Sequence, residues 1–291
     1  MNAGVQPLAR MRGFALSPAA FRRLALANAA MLVVIVATGA TVRLTGSGLG
    51  CEHWPGCQPQ HFEPKSFHSY IEFGNRVIAF FTIMVTLATW LLARGRRSLA
   101  FAVFLGTFLQ APLGAITIHY HLNPWLVLSH FLLSIVVLTL GVMLALEARG
   151  TERTALPAWV PRVGLLVGLA AGVLVFSGTL ATAAGPHPGS TVVRRLWSFQ
   201  PAVYWHVRAT AVFGIAFALL LVWLFRNRAP QRRWAFVLLG ALLVQMIVGE
   251  TQYRTHLPWW LVLVHVTLAA SVWAVTTAFV FSLWRPHRMS G

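Results

Sequence analysis

Long apolar stretches alternate with short polar ones along almost the whole of this chain. Eight of the stretches, near 24–44, 67–93, 98–118, 124–146, 163–183, 201–225, 233–252 and 259–284, are each long enough to cross ~30 Å of hydrocarbon at ~1.5 Å per residue. The pattern predicts an all-α integral membrane protein. Basic residues punctuate it on one side only. Arg10, Arg12, Arg22 and Arg23 precede the first span, Arg94, Arg96 and Arg97 follow the second, and Arg149, Arg153 and Arg162 follow the fourth. Arg226, Arg228, Arg232 and Arg233 follow the sixth, and Arg285 and Arg288 the eighth, so sixteen of the 23 Lys and Arg share one face. The positive-inside rule then puts both termini in the cytoplasm of a multi-pass plasma-membrane protein. About twenty residues precede the first span, and no small-residue cleavage site follows it, so it is expected to stay as a helix.

Composition agrees with this reading. Of 291 residues, 57% are hydrophobic and 10% charged, with a mean hydropathy of +0.69, which makes lipid the solvent for most of the chain. The net charge of +17 would point to nucleic acid in a soluble protein. Here the basic clusters flank membrane spans, so the charge encodes topology and no nucleic-acid partner is expected.

An internal repeat defines the organisation. Shifted by 135 positions, LQAPLGAITIHYHLNPWLVLSH, ending at His130, falls without a gap on VQMIVGETQYRTHLPWWLVLVH, ending at His265. Gln110 meets Gln245, Gly114 meets Gly249, His121 meets His256, and Trp125-Leu126-Val127-Leu128 meets Trp260-Leu261-Val262-Leu263. A weaker echo joins ATGATVRLTGSG of the first span to FSGTLATAAGPH of the fifth. Four spans per copy give both copies the same orientation, hence two tandem four-helix bundles, 1–148 and 156–291, related by a pseudo-twofold along the membrane normal. Bundles of this kind build cofactor sites from side chains on facing helices.

Ten of the eleven histidines, all but His287, lie in the outer loops or outer helix ends. Most of them, among them His53, His61, His119 and His187, stand near water, where a neutral imidazole costs little; His68, His121 and His256 are the better ligand candidates of that group. His130 and His265 differ. They follow the helix-opening prolines Pro124 and Pro258 by six and seven residues, which places them roughly 10 Å into the membrane, where an ionisable group is a functional candidate. His206, five residues after Pro201, is the natural partner of His265. Two imidazoles from facing helices hold a six-coordinate haem; a plain hydrogen bond between helices is the alternative. The second span carries Glu72, Asn75 and Arg76 on one helical face, with His68 one turn outward. Either Glu72 and Arg76 neutralise each other or they act on a ligand. Arg76 and Arg208 are also suited to grip haem propionates. Cys51 and Cys57 lie close together in the first outer loop, and outside the cytoplasm such a pair reads as a disulfide, structural or redox-active.

Together these residues resemble the haem A synthase family, which converts haem O to haem A for cytochrome oxidase. The carrying segments are TGATVRLTGSGLGCEHWPGC, IEFGNR, LNPWLVLSH, the histidine of YWHVR and LPWWLVLVH, and the likeness runs from about residue 24 to residue 284. It implies a bacterial plasma-membrane enzyme with both haem sites toward the outer face. His206 and His265 would hold haem b, and His130 would be the axial ligand of the substrate haem O, with Glu72 near the reacting methyl group. Two rounds of hydroxylation and loss of water would give the formyl group. It also implies hand-over of haem O from the farnesylating haem O synthase, and an electron acceptor that the residues do not specify. In one place the chain departs from the family. A histidine usually precedes the arginine of the second span, and here Asn75 stands there. Asparagine is a poor iron ligand, so either the substrate haem is five-coordinate on His130, or another group such as His68 replaces the imidazole, or Asn75 hydrogen-bonds water or substrate. The main rival is a bis-histidine membrane cytochrome that carries electrons without altering its haem, and a missing ligand in one half argues against it.

Overall fold

The computed structural model describes residues 16–59, 62–93, 95–150, 156–190, 193 and 195–284. Arg10, Arg12, Arg94, Arg153, Arg285, Arg288, His61 and His287 lie outside them. Among the described residues the chain is all-helical, with α1 Pro18–Leu44, α2 Phe67–Leu92, α3 Arg97–His119, α4 Pro124–Arg149, α5 Trp159–Ala184, α6 Phe199–Arg226, α7 Arg232–Arg254 and α8 Trp259–Trp284. All eight are long and apolar enough to cross a membrane. The first starts earlier than its apolar run does. Ser17 accepts the N–H of Ala20 at 3.2 Å and Pro18 sits at the first helical position, a start signal strong enough to carry the helix through Arg22 and Arg23.

The sequence repeat carries over to the bounds of two helix pairs. Positions 97–119 and 124–149 of α3 and α4, moved by 135, reproduce α7 and α8 end for end. The turns between them share a rare backbone: His121 and Leu122 at φ 51° and 58°, His256 and Leu257 at φ 63° and 60°. Non-glycine residues seldom adopt this left-handed conformation. Two successive left-handed residues stop the incoming helix and aim the next one, which Pro124 or Pro258 then opens.

Packing within each half follows a square. In the first, α1 packs on α2 and α4, and α3 on α2 and α4, while α2 and α4 face each other across the diagonal without touching. In the second, α5 packs on α6 and α8, α7 packs on α8 and barely on α6, and α6 and α8 stand on the diagonal, meeting through Phe217 and Phe279, whose rings pack edge to face at 5.7 Å. The halves meet along α1, α4, α5 and α8. Two apolar cores hold them. One joins Ala25, Leu32, Val36, Leu138, Leu144 and Ala270, the other Val167, Phe213, Phe217, Leu238, Phe279 and Leu283, so α8 contributes to both. Trp273 Nε1 donates to Thr139 Oγ1 at 2.8 Å across the same seam.

These cores sit toward the arginine-flanked ends of the helices. In α6 nothing between Ala202 and Phe213 is buried, and in α7 nothing beyond Leu242. Few residues of α6 and α7 are therefore buried at the end of the second half where His206 and His265 lie, whereas the same end of the first half buries Cys51, Cys57, Ser69 and Glu72.

Candidate haem sites

His206 on α6 and His265 on α8 stand on opposite corners of the second half. Ser177 Oγ, on α5, lies 3.1 Å from His206 Nδ1 and donates its own hydrogen to the Leu174 carbonyl at 2.8 Å. With that hydrogen committed, the hydroxyl oxygen accepts from Nδ1–H, which leaves Nε2 as the lone-pair nitrogen. On the other corner Gln245 of α7 donates to the His265 carbonyl oxygen at 3.1 Å, and the same amide nitrogen stands 3.2 Å from each ring nitrogen. Glycines make room for both rings. A Cβ on Gly178 would lie 2.9 Å from His206 Cε1, and one on Gly249 3.0 Å from His265 Cε1.

His130, on α4, has the same surroundings with one difference. Gly114 of α3 lies beside its ring, where a Cβ would be 3.6 Å from Cε1. Gln110 donates to the His130 carbonyl oxygen at 3.2 Å but also to Ser134 Oγ at 2.7 Å. His130 Nδ1 is buried without a hydrogen-bond partner. A buried imidazole nitrogen left bare is costly, and it marks a ring whose polar edge is meant for something other than the protein.

Across the diagonal from His130, α2 carries Glu72, Asn75 and Arg76. Glu72 is 4% exposed. Its Oε1 accepts from Arg76 at 2.5 Å and its Oε2 from the backbone N–H of Cys51 at 2.9 Å. Nη1 of Arg76 donates to the loop, to the carbonyls of His53 at 2.6 Å, of Pro55 at 3.3 Å and of Gly56, while Nε is buried without a partner. Glu72 and Arg76 thus neutralise each other and together hold the loop over the end of the half. A grip on propionates by Arg76 would compete with these bonds. Asn75 accepts from Thr38 Oγ1 at 2.7 Å through its side-chain oxygen, so its NH2 is the end left to donate. His68 Nδ1 is tied to Ser47 Oγ at 2.8 Å at the exposed start of α2. Arg208 is exposed and lies over the Tyr204 ring, 3.1 Å from its centroid. His121 and His256 are exposed in their turns.

The first loop is closed by a disulfide between Cys51 and Cys57, both buried. Sequence reading missed the donors and acceptors behind the histidines: Ser177, Gln245 and Gln110. The gapless repeat did pair the two glutamines, which was the available signal.

These features fit haem. Among the described residues no three metal-ligating side chains gather, and histidines that come singly or in pairs on facing helices match what a haem iron takes from protein. The glycines against the rings leave room beside them, and the imidazoles supply the ligands a flat iron-bearing group would take.

Comparison with known proteins points the same way. Residues 22–68 match a family model described as cytochrome oxidase assembly protein. The heme A synthase of Listeria welshimeri is 25% identical over 84% of this chain and 89% of its own length, and that of Listeria monocytogenes is equally similar at 25% over the same shares. The heme A synthase of Symbiobacterium thermophilum is 32% identical over 47% of each chain. The fold is that of a multi-pass membrane protein, with eight helices long and apolar enough to span among the described residues. Over most of its length the chain is similar to heme A synthases.

Proposed function

We propose that this protein oxidises a methyl group of haem O to the formyl group of haem A for cytochrome oxidase, with haem b as its resident cofactor. One observation carries the reading. The diagonal of the second half holds two histidines, His206 and His265, while the diagonal of the first sets His130 opposite a carboxylate and an amide.

The second half is built to keep its ligand. Ser177 fixes the ring of His206, Gln245 braces His265, and Gly178 and Gly249 leave the rings their space. Haem b bound by these two histidines supplies one-electron chemistry. The first half takes haem O as substrate, with His130 as the single protein ligand to its iron. Glu72 enters as a carboxylate whose two oxygens already accept hydrogen bonds. Charge-assisted bonds of this kind fix its position, so it stabilises positive charge that develops beside it or takes up a proton, while the electrons leave to the acceptor. The NH2 of Asn75 donates to water or substrate on the same face. Two successive hydroxylations take the methyl group to a gem-diol, and loss of water gives the formyl group.

The arginine bias supports cytoplasmic termini and haem sites near the outer face of a bacterial plasma membrane. The substrate already carries a farnesyl tail, so its expected source is the enzyme that farnesylates protohaem, and an electron acceptor completes the reaction. Purified protein supplied with haem O tests the reading. Haem A, or a haem O hydroxylated at that methyl group, is the expected extract. Haem b with unaltered haem O would identify an electron-carrying cytochrome instead, and protein without a Soret band would remove both readings.

A further inference from the structure

The two glutamines that face the outer histidines occupy equivalent positions and do different things. Gln245 donates to the His265 carbonyl oxygen and stands 3.2 Å from both ring nitrogens. Gln110 donates to the His130 carbonyl oxygen, but Ser134 draws the same NH2 to 2.7 Å, and His130 Nδ1 is left buried without a partner. The cause is a single position. One turn after each histidine α4 has Ser134, while the repeat places Ala269 in α8. Ser134 also donates to the His130 carbonyl oxygen at 3.0 Å, so hydroxyl, amide and carbonyl close into a small ring that excludes the imidazole.

In both glutamines Oε1 is buried without a partner. A histidine that gives Nε2 to iron carries its proton on Nδ1 and needs an acceptor there, and that bond orients the ring and strengthens it as a ligand. In the second half a turn of the Gln245 amide about its last torsion brings an acceptor to a ring it already touches. That turn costs either glutamine its bond to the histidine carbonyl, and in the first half it costs Gln110 its bond to Ser134 as well.

We propose that Gln245 and Gln110 are positioning residues for the two axial histidines, and that Ser134 uncouples the first of them so that His130 is a weak ligand and its haem can leave. The inference rests on the haem reading given above. It assigns the difference between a permanent and a transient site to one hydroxyl group next to a ligand rather than to the ligand.

The test exchanges that hydroxyl in the full-length protein. Wild type, Ser134→Ala, Ala269→Ser and Gln245→Leu are purified in lipid nanodiscs, loaded with haem O, and mixed with excess apomyoglobin while transfer of each haem is followed in the Soret region. Removing a partner behind a ligand weakens metal binding by about 10- to 100-fold. Ser134→Ala is therefore expected to slow loss of haem O about tenfold or more and to lower its midpoint potential, as Gln110 becomes free to serve the ring. Ala269→Ser and Gln245→Leu are expected to speed loss of the resident haem by a similar factor and to raise its potential. Unchanged transfer rates and potentials in Ser134→Ala and Gln245→Leu would overturn the inference. Wild-type protein that takes up no haem would instead overturn the functional reading beneath it.

Discussion

Glu72 Oε2 accepts the backbone N–H of Cys51 at 2.9 Å, so the carboxylate of α2 is bonded directly to the first residue of the disulfide. The side chain proposed to act on the substrate is thus also the anchor of the loop that covers it. Loop and carboxylate are one unit, completed by Arg76, which bonds Glu72 and three loop carbonyls at once.

Arg76→Lys is therefore not a mild change. A lysine has neither the reach nor the fork to serve a carboxylate and several carbonyls together. Conversion of haem O is expected to fall at least tenfold while the second-half haem stays bound. Trypsin digestion is expected to cut the loop at Lys65 faster in the variant than in wild type; an equal cleavage rate with full activity would show that Arg76 does not hold the loop.

Gly178 and Gly114 leave different amounts of room beside the rings they face. A Cβ on Gly178 would come within 2.9 Å of the His206 ring, while one on Gly114 would rest at 3.6 Å from the ring of His130. Ordinary contact begins near the second distance and the first requires movement, at about 1–3 kcal/mol for an overpacked site. Gly178→Ala is expected to shift the Soret band and loosen the resident haem, and Gly114→Ala to leave haem O conversion within about twofold of wild type. Absorption spectra and turnover of the two variants, measured side by side, check both.

Arg43 ties the halves. Its Nη2 donates to the Thr182 carbonyl at 2.7 Å and its Nε to that of His187 at 3.0 Å, while Gly48 N–H donates to Gly189 O at 3.0 Å beside it. Bonds from a charged donor contribute about 1.5–3 kcal/mol each, so Arg43→Gln is expected to lower thermal stability by several degrees without changing which haems are bound. Differential scanning calorimetry reads the shift. An unchanged midpoint would mean that the seam of α1, α4, α5 and α8 suffices alone.

Much of this was legible in the sequence because lipid makes demands that few residues can meet. Eight apolar runs, arginines on one side and helix-opening prolines before His130 and His265 mark the helices to within a few residues, except at α1, where Ser17 and Pro18 start the helix before the apolar run begins. The turn backbone repeats as well, the paired His121 and His256 both adopting positive φ, but only the structure shows it. The partners of the functional groups were less legible. The spacing of Glu72 and Arg76 put them on one face, yet nothing local reveals that Arg76 reaches carbonyls some twenty residues back, as it does at His53. Arg208 shows the same limit in reverse: a guanidinium placed for propionates by position lies exposed over the ring of Tyr204, one helical turn before it.

The haem composition of two variants compared directly tests the central claim, a second half that keeps haem b and a first half that alters haem O. Purified from cells supplied with haem O, Glu72→Ala is expected to retain haem b and contain no haem A, with reduced stability because Arg76 is left without its carboxylate, at about 3–5 kcal/mol for a broken buried pair. His206→Ala is expected to lose haem b. Haem A produced at the wild-type level by Glu72→Ala, or haem b retained in full by His206→Ala, would contradict the account.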